Sequence, residues 1–240
     1  MSKIKSNEFS NSYFDKHGIL ITDYDHWVKG QNKKYMKMYN WMSYGMNFME
    51  KTMGFFAYGK SIARARKNLL SKIEWKNNSS VLYVSIGNGM SLPYIPKDID
   101  VKTLGFVGLD ISYGMLKQAA KKYQNEFDLT LINASAEELP FKDNSFDIVF
   151  HIGGINFFYD KGSAIKEMIR VAKPNTKILI ADETDTVLKN QYKRNIFIKK
   201  YFKNVDIDIK KIEKHIPSNV KEYQLEYLWD NRFYCMTFRK

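Results

Sequence analysis

The apolar positions of this 240-residue chain follow two different periods, and the change between them divides it. Tyr35, Met38, Met42, Met46, Met49 and Met53 recur at steps of three and four, the spacing of one face of an amphipathic helix. Gly45 and Gly54 interrupt that stretch, and glycine weakens a helix. Ser61 to Ile73 predicts a second helix, basic on one side, followed by the polar turn Asn77-Asn78-Ser79-Ser80. Beyond it, short apolar runs alternate with helical stretches. Ser80 to Ile86, Val101 to Leu109, Leu129 to Asn133, Phe146 to His151 and Lys177 to Ala181 read as strands. Ser112 to Lys122 and Lys161 to Ala172 read as helices, the second ended by Lys173-Pro174-Asn175. This alternation predicts βαβ units and a parallel sheet covered on both faces, an α/β fold. In the tail, Val205 to Ile212 and Phe233 to Arg239 look strand-like, with a helical stretch near Ser218 to Leu228 between them. Two regions are therefore expected: a helical N-terminal region over 1–75 and an α/β domain over 76–240.

Composition narrows the classes. No apolar run approaches the length of a membrane span, and the polar segment Met1 to Ser10 has no apolar stretch of the secretory kind. The single cysteine, Cys235, excludes an internal disulfide and a cysteine-based metal site, so a cytoplasmic location is the default expectation. The net charge of +12 is uneven. Residues 1–75 carry 13 basic and 6 acidic side chains, residues 76–184 carry 12 and 13, and residues 185–240 carry 13 and 7. Basic flanks around a neutral centre allow peripheral contact with an anionic membrane, but the simpler reading is a solvated lysine-rich surface. No zinc-finger, helix-turn-helix or RNA-platform motif accompanies the charge, which argues against a nucleic-acid partner.

The candidate chemistry starts where the first strand runs into Ser85-Ile86-Gly87-Asn88-Gly89-Met90. Glycines there let the backbone turn tightly and approach a ligand, as dinucleotide and S-adenosylmethionine sites both require. Some 20 residues on, Asp110 ends the second strand, where a carboxylate can accept hydrogen bonds from both ribose hydroxyls. Ser112, two residues later, is placed to cap the next helix. Glycine turn and carboxylate together favour an adenosine-bearing ligand.

The next stretch separates the alternatives. Asn133-Ala-Ser-Ala-Glu-Glu-Leu-Pro-Phe141 and Lys142-Asp-Asn-Ser-Phe-Asp147 resemble the adenine loop and fourth strand of the class I methyltransferases, in which "DAEELPFPDNSFD" is a common form. The likeness continues through "DKGSAIKEMIRVAKP" and the closing "NRFYCMTFRK". It implies a Rossmann-like, seven-stranded, mostly parallel sheet with a last antiparallel strand, behind an N-terminal helical lid. It also implies S-adenosylmethionine as cofactor, held by Gly87, Gly89, Asp110, Ile111, Met115, Ser135 and Ala136. Met38 to Lys51 (MYNWMSYGMNFMEK) more loosely resembles the N-terminal helices of the menaquinone and ubiquinone C-methyltransferases. That implies a small, largely apolar acceptor, aromatic or quinol-type, against Tyr24, Trp27, Tyr39, Trp41, Met42 and Phe48. The sequence departs from the family pattern at Tyr83, where an acid is usual, at Ser85, where glycine is usual, and at Ser135, where Asp is usual. The quinone enzymes also tend to carry an arginine near Asn156.

Methyl transfer to a phenol or enol needs a proton acceptor, commonly histidine. Of the four histidines, His151 ends the fourth strand and His26 lies in the expected lid, so these two are the catalytic candidates; His17 and His215 read as surface residues. No cluster has metal-ligand spacing. The competing functions are a catalytically idle S-adenosylmethionine-binding relative and a nucleic-acid or protein methyltransferase. Ile152-Gly-Gly-Ile155, where amino-methylating enzymes of nucleic acids often carry an Asn/Asp-Pro-Pro-Tyr/Phe tetrad, counts against base methylation.

Overall fold

The computed structural model describes residues 12–22, 28, 30–43, 55–196, 198–203 and 205–240. Nine strands form one sheet among these residues: β1 (Tyr13–Phe14), β2 (Ile19–Ile21), β3 (Ser80–Val84), β4 (Gly105–Asp110), β5 (Leu129–Asn133), β6 (Ile148–Ile152), β7 (Lys177–Glu183), β8 (Lys221–Leu228) and β9 (Phe233–Arg239). Their order is β1-β2-β5-β4-β3-β6-β7-β9-β8. Six of the seven runs read as strands are present, Val205 to Ile212 being the exception, and β9 runs antiparallel to β7 as predicted. Two further strands correct the reading of residues 1–75. Ile19-Leu20-Ile21 pairs in parallel with Leu131 to Asn133, and β1 folds back on it, so the N-terminal region extends the sheet as well as supplying helices.

Four longer helices pack around it: α1 (Gly30–Ser43), α2 (Phe55–Ser71), α3 (Tyr113–Tyr123) and α4 (Lys161–Val171). Successive strand residues point to opposite faces, and both faces of β3 are apolar. Val81 and Tyr83 join a core with Leu69 and Leu70 of α2 and Leu116 and Ala119 of α3. Leu82 and Val84 join a core with Ile165 and Met168 of α4. A third, smaller cluster joins Tyr35 and Met38 of α1 to Phe157, Leu188 and Phe202. Thus the segment between β7 and β8 contributes to the same cap as α1.

Two tail elements are exchanged relative to the sequence reading. Ile209–Glu213 is helical, started by Asp208, whose carboxylate accepts from the Lys211 amide at 3.3 Å. Lys221–Leu228 is an edge strand paired with β9. In the predicted Met stripe, Tyr35 and Met38 are buried, whereas Met46, Met49 and Met53 lie outside the described residues, as do Tyr24, His26, Trp27 and Phe48. Trp41 is 59% exposed and points away from the core.

Candidate active site

The strand order reverses around β3, which has β4 on one side and β6 on the other. Ligands of open α/β sheets bind at such a switch point, outside the carboxyl ends of the strands. A cleft of about 250 Å³ opens there. The turn after β3 forms its floor. Ser85 and Gly87 both adopt the left-handed conformation, with φ of +58°, which costs a residue with a side chain roughly 1–2 kcal/mol. This explains why glycine would suit position 85. A Cβ placed on Gly87 would meet nothing within 4 Å, so the missing side chain leaves an open cradle beside the backbone.

Asp110 sits at the end of β4, 8% exposed. Its two carboxylate oxygens accept from the Gly87 and Ser112 amides, each at 2.8 Å, so the carboxylate ties the glycine turn to the start of α3. Burial pushes its pKa up to about 6 against these hydrogen bonds, which favour the charged form. Ser112 does cap α3, accepting from the Met115 amide. It also donates to Asn40 Oδ1 at 2.7 Å, and Asn40 Oδ1 accepts from the Gly114 amide at 2.9 Å. These bonds seat α1 on the N-terminus of α3 and over the cleft.

Six of the seven residues expected to hold the cofactor, namely Gly87, Asp110, Ile111, Met115, Ser135 and Ala136, line this one cleft. Gly89 does not line it. It lacks a side chain for another reason: with φ of +79°, a Cβ there would stand 2.6 Å from the Tyr123 ring. Ser135 donates to Glu137, whose other carboxylate oxygen accepts from Asn32 of α1 at 2.9 Å. Glu137 also lines the cleft, so a carboxylate stands beside the position where the sequence has serine.

His151 is placed differently from its expected role. Its ring is fully buried, with Nδ1 3.0 Å from the Val84 carbonyl and Nε2 accepting from the Ile155 amide at 3.0 Å. Both nitrogens are committed to backbone, so the tautomer is fixed as Nδ1–H and no lone pair faces the cleft. Burial holds its pKa down at about 4, keeping it neutral. It clamps the Gly153-Gly154 turn rather than taking a proton. His26 lies outside the described residues.

Arg66, Phe157, Glu183 and Tyr192 line the cleft without having been singled out in the sequence, beside Tyr83, Tyr35 and Tyr39, which were. Tyr83 is buried and stacked on Phe150 at 4.3 Å, and its hydroxyl donates to Ser91 Oγ at 3.1 Å. Arg66 of α2 donates to the same oxygen at 2.6 Å, which brings a cation to the wall where family members have an acid. Across the cleft lie Tyr35, Tyr39, Phe157, Tyr192 and Glu183. Asp182, the neighbour of Glu183, is 1% exposed and is held by the Asn156 and Glu183 amides at 2.9 and 2.8 Å. Asn156, near the place where the quinone enzymes tend to have arginine, bridges the Glu183 carbonyl and the Tyr234 hydroxyl. It is a brace and not a cleft residue.

Residues 82–180 match the methyltransferase domain family. Those residues therefore carry a methyltransferase domain. It is 27% identical over 157 residues to a ubiquinone/menaquinone biosynthesis C-methyltransferase of Geotalea daltonii, covering 63% of this chain and 64% of that one. It is 39% identical over 103 residues to a demethylmenaquinone methyltransferase of Renibacterium salmoninarum, covering 42% and 40%. The chain thus spans less than two thirds of the length of these curated relatives. In fold it is similar to Haemonchus contortus phosphoethanolamine N-methyltransferase 2, solved in complex with S-adenosyl-L-methionine, with a TM-score of 0.59 at 16% identity over 81% of this chain and 59% of that one. The methyltransferase domain offers what S-adenosylmethionine needs. The open cradle at Gly87, the Asp110 carboxylate and the apolar walls Ile111 and Met115 suit a nucleoside, and Arg66 suits a carboxylate.

Proposed function

We propose that the protein transfers a methyl group from S-adenosylmethionine to a small, largely apolar acceptor of the aromatic or quinol type. The observation that carries this reading is the continuity of one cleft. Its nucleoside half, from Gly87 to Ser135, runs directly into a wall built from Tyr35, Tyr39, Phe157 and Tyr192. Sites with such linings bind flat, apolar ligands. The likeness to quinone C-methyltransferases supports the same acceptor class.

The cofactor would supply an electrophilic methyl on a sulfonium. The chain's own residues bind, orient and exclude water. Asp110 and the glycine turn fix the nucleoside end, and α1, seated by Asn40, closes the cleft from above. Alignment of this kind is the main lever for an in-line displacement. The ring faces beside the cleft also favour a positive charge over water.

Incubation with tritium-labelled S-adenosylmethionine and cell extract tests the proposal. Label is expected in the fraction that partitions into organic solvent. Label retained in a nuclease-sensitive or protein precipitate would overturn the small-molecule reading.

A further inference from the structure

Resting on the reading above, we infer that the acceptor carries a phenol-type hydroxyl and that Glu183 receives its hydrogen bond and then its proton. Glu183 is the last residue of β7 and lines the aromatic half of the cleft. The Tyr192 hydroxyl donates to its Oε2, while Oε1 has no hydrogen-bond donor among the described residues. The contrast with Asp182 is informative. Asp182 is saturated by backbone amides, whereas Glu183 is held on one oxygen and open on the other. Its backbone carbonyl accepts from Asn156 at 2.7 Å, which holds the end of β7 in place, and Tyr192 orients the carboxylate.

The charged surroundings suit a proton acceptor. Asp182 adjoins Glu183 on the same strand, Tyr192 and Tyr39 face it from the cap, and Arg66 faces it from α2. Burial and the Asp182 charge push its pKa up to about 7, against the opposing effects of Tyr192 and Arg66. A carboxyl in that range serves as a base at neutral pH. Burial also lifts Tyr39 well above the usual phenol range, so Tyr39 stays protonated and does not compete for the role.

The balance is simple. The acceptor's O–H bond breaks and its proton passes to a Glu183 carboxylate oxygen. The electron pair left on the acceptor forms the new bond to the methyl, either from oxygen or from a ring carbon conjugated to it. In the second case that carbon's C–H bond then breaks, its proton leaves to water and its electron pair restores the aromatic ring, while the oxygen takes a proton back. The pair of the broken methyl–sulfur bond stays on sulfur, and Glu183 returns its proton to water once product leaves.

Binding of 2-naphthol and of its ether 2-methoxynaphthalene, followed by fluorescence with saturating S-adenosylhomocysteine, tests this without turnover. The wild-type protein should prefer 2-naphthol by at least about tenfold, the scale of a hydrogen bond to a charged group. Bound 2-naphthol should also emit as naphtholate, because its excited state hands its proton to the carboxylate. Both effects should be lost in Glu183→Gln. In the wild type itself they should fade as pH falls through 7, which keeps the test valid if the variant misfolds. Equal binding of the two probes by the wild type, or a preference unchanged in Glu183→Gln, would overturn the role of Glu183 and leave the methyltransferase reading standing. Failure of both probes to bind the wild type would overturn the aromatic-acceptor reading itself.

Discussion

Replacing His151 separates a structural histidine from a catalytic one. The ring bridges the Val84 carbonyl at the end of β3 and the Ile155 amide beyond β6, both at 3.0 Å and fully buried. His151→Ala leaves those two groups unpaired, at about 1–3 kcal/mol each, and opens a cavity besides. A loss of about 3–5 kcal/mol follows, a large part of the 5–15 kcal/mol that holds a typical domain. The pH dependence carries a second signature. The folded pKa near 4 lies below the ordinary 6.5, so between those values the unfolded chain binds a proton that the folded protein refuses. Stability conferred by the neutral ring is therefore present above pH 6.5 and falls as pH drops toward 4, by about 3 kcal/mol in all. Urea unfolding of wild type and of the non-titrating His151→Asn, run from pH 4 to 8, should show their stabilities diverging most at neutral pH and converging in acid. A His151→Asn protein with wild-type stability and an unchanged acid profile, but turnover reduced a hundredfold, would refute the structural assignment.

The glycine turn makes a paired prediction. Gly87→Ala faces open space and should cost only about 1–2 kcal/mol of stability for its left-handed backbone, while weakening S-adenosylmethionine in a calorimetric titration. Gly89→Ala meets the Tyr123 ring at 2.6 Å and should lose a further 1–3 kcal/mol or so by overpacking, part of it recovered by Tyr123→Ala; equal behaviour of the two variants would mean that the turn faces the other way. Asp110→Ala should weaken cofactor binding by about 1–3 kcal/mol, and an unchanged affinity would mean that the nucleoside lies elsewhere.

Local pattern was enough wherever an element's partner lay near in sequence or its face was unambiguous. The elements of the βαβ core all came through: Leu129–Asn133 has its predicted bounds and Lys161–Val171 falls one residue short, whereas the strand expected from Val101 begins only at Gly105, after a 3-10 turn. The tail shows where that reasoning fails. Val205-Asp-Ile-Asp-Ile alternates like a strand, yet Asp208 serves as the cap of a short helix. Lys221-Glu-Tyr-Gln-Leu-Glu-Tyr-Leu has the composition of a helix, yet Tyr223, Leu225 and Tyr227 alternate, and β9 offers an edge to pair with. Its propensity yielded to a partner that the local sequence does not reveal. The short β2 escaped for a related reason. Three apolar residues after the turn at Gly18 become a strand only because β5 presents an unpaired edge beside them.

The candidate site follows the same rule. Asp110 was legible because a carboxylate at the end of an apolar strand, after a glycine turn, has few uses. Glu183 gives a signal of the same kind at the end of β7, but it stands beside Asp182, and the residues of a strand alternate between faces. Both line the cleft, and sequence alone cannot say which of the pair keeps an open oxygen there. The answer comes from Asn156: its backbone amide binds the Asp182 carboxylate and its side chain binds the Glu183 carbonyl. Both carboxylate oxygens of Asp182 are taken by backbone amides, and the oxygen left open toward the aromatic cap is that of Glu183. His151 is the converse case. Its residue type suited catalysis, but a histidine is a base only while one nitrogen is unclaimed, and here the end of β3 and the turn after β6 claim both. The proton chemistry proposed for this cleft therefore falls to a carboxylate at the end of β7 and not to the histidine of the neighbouring β6.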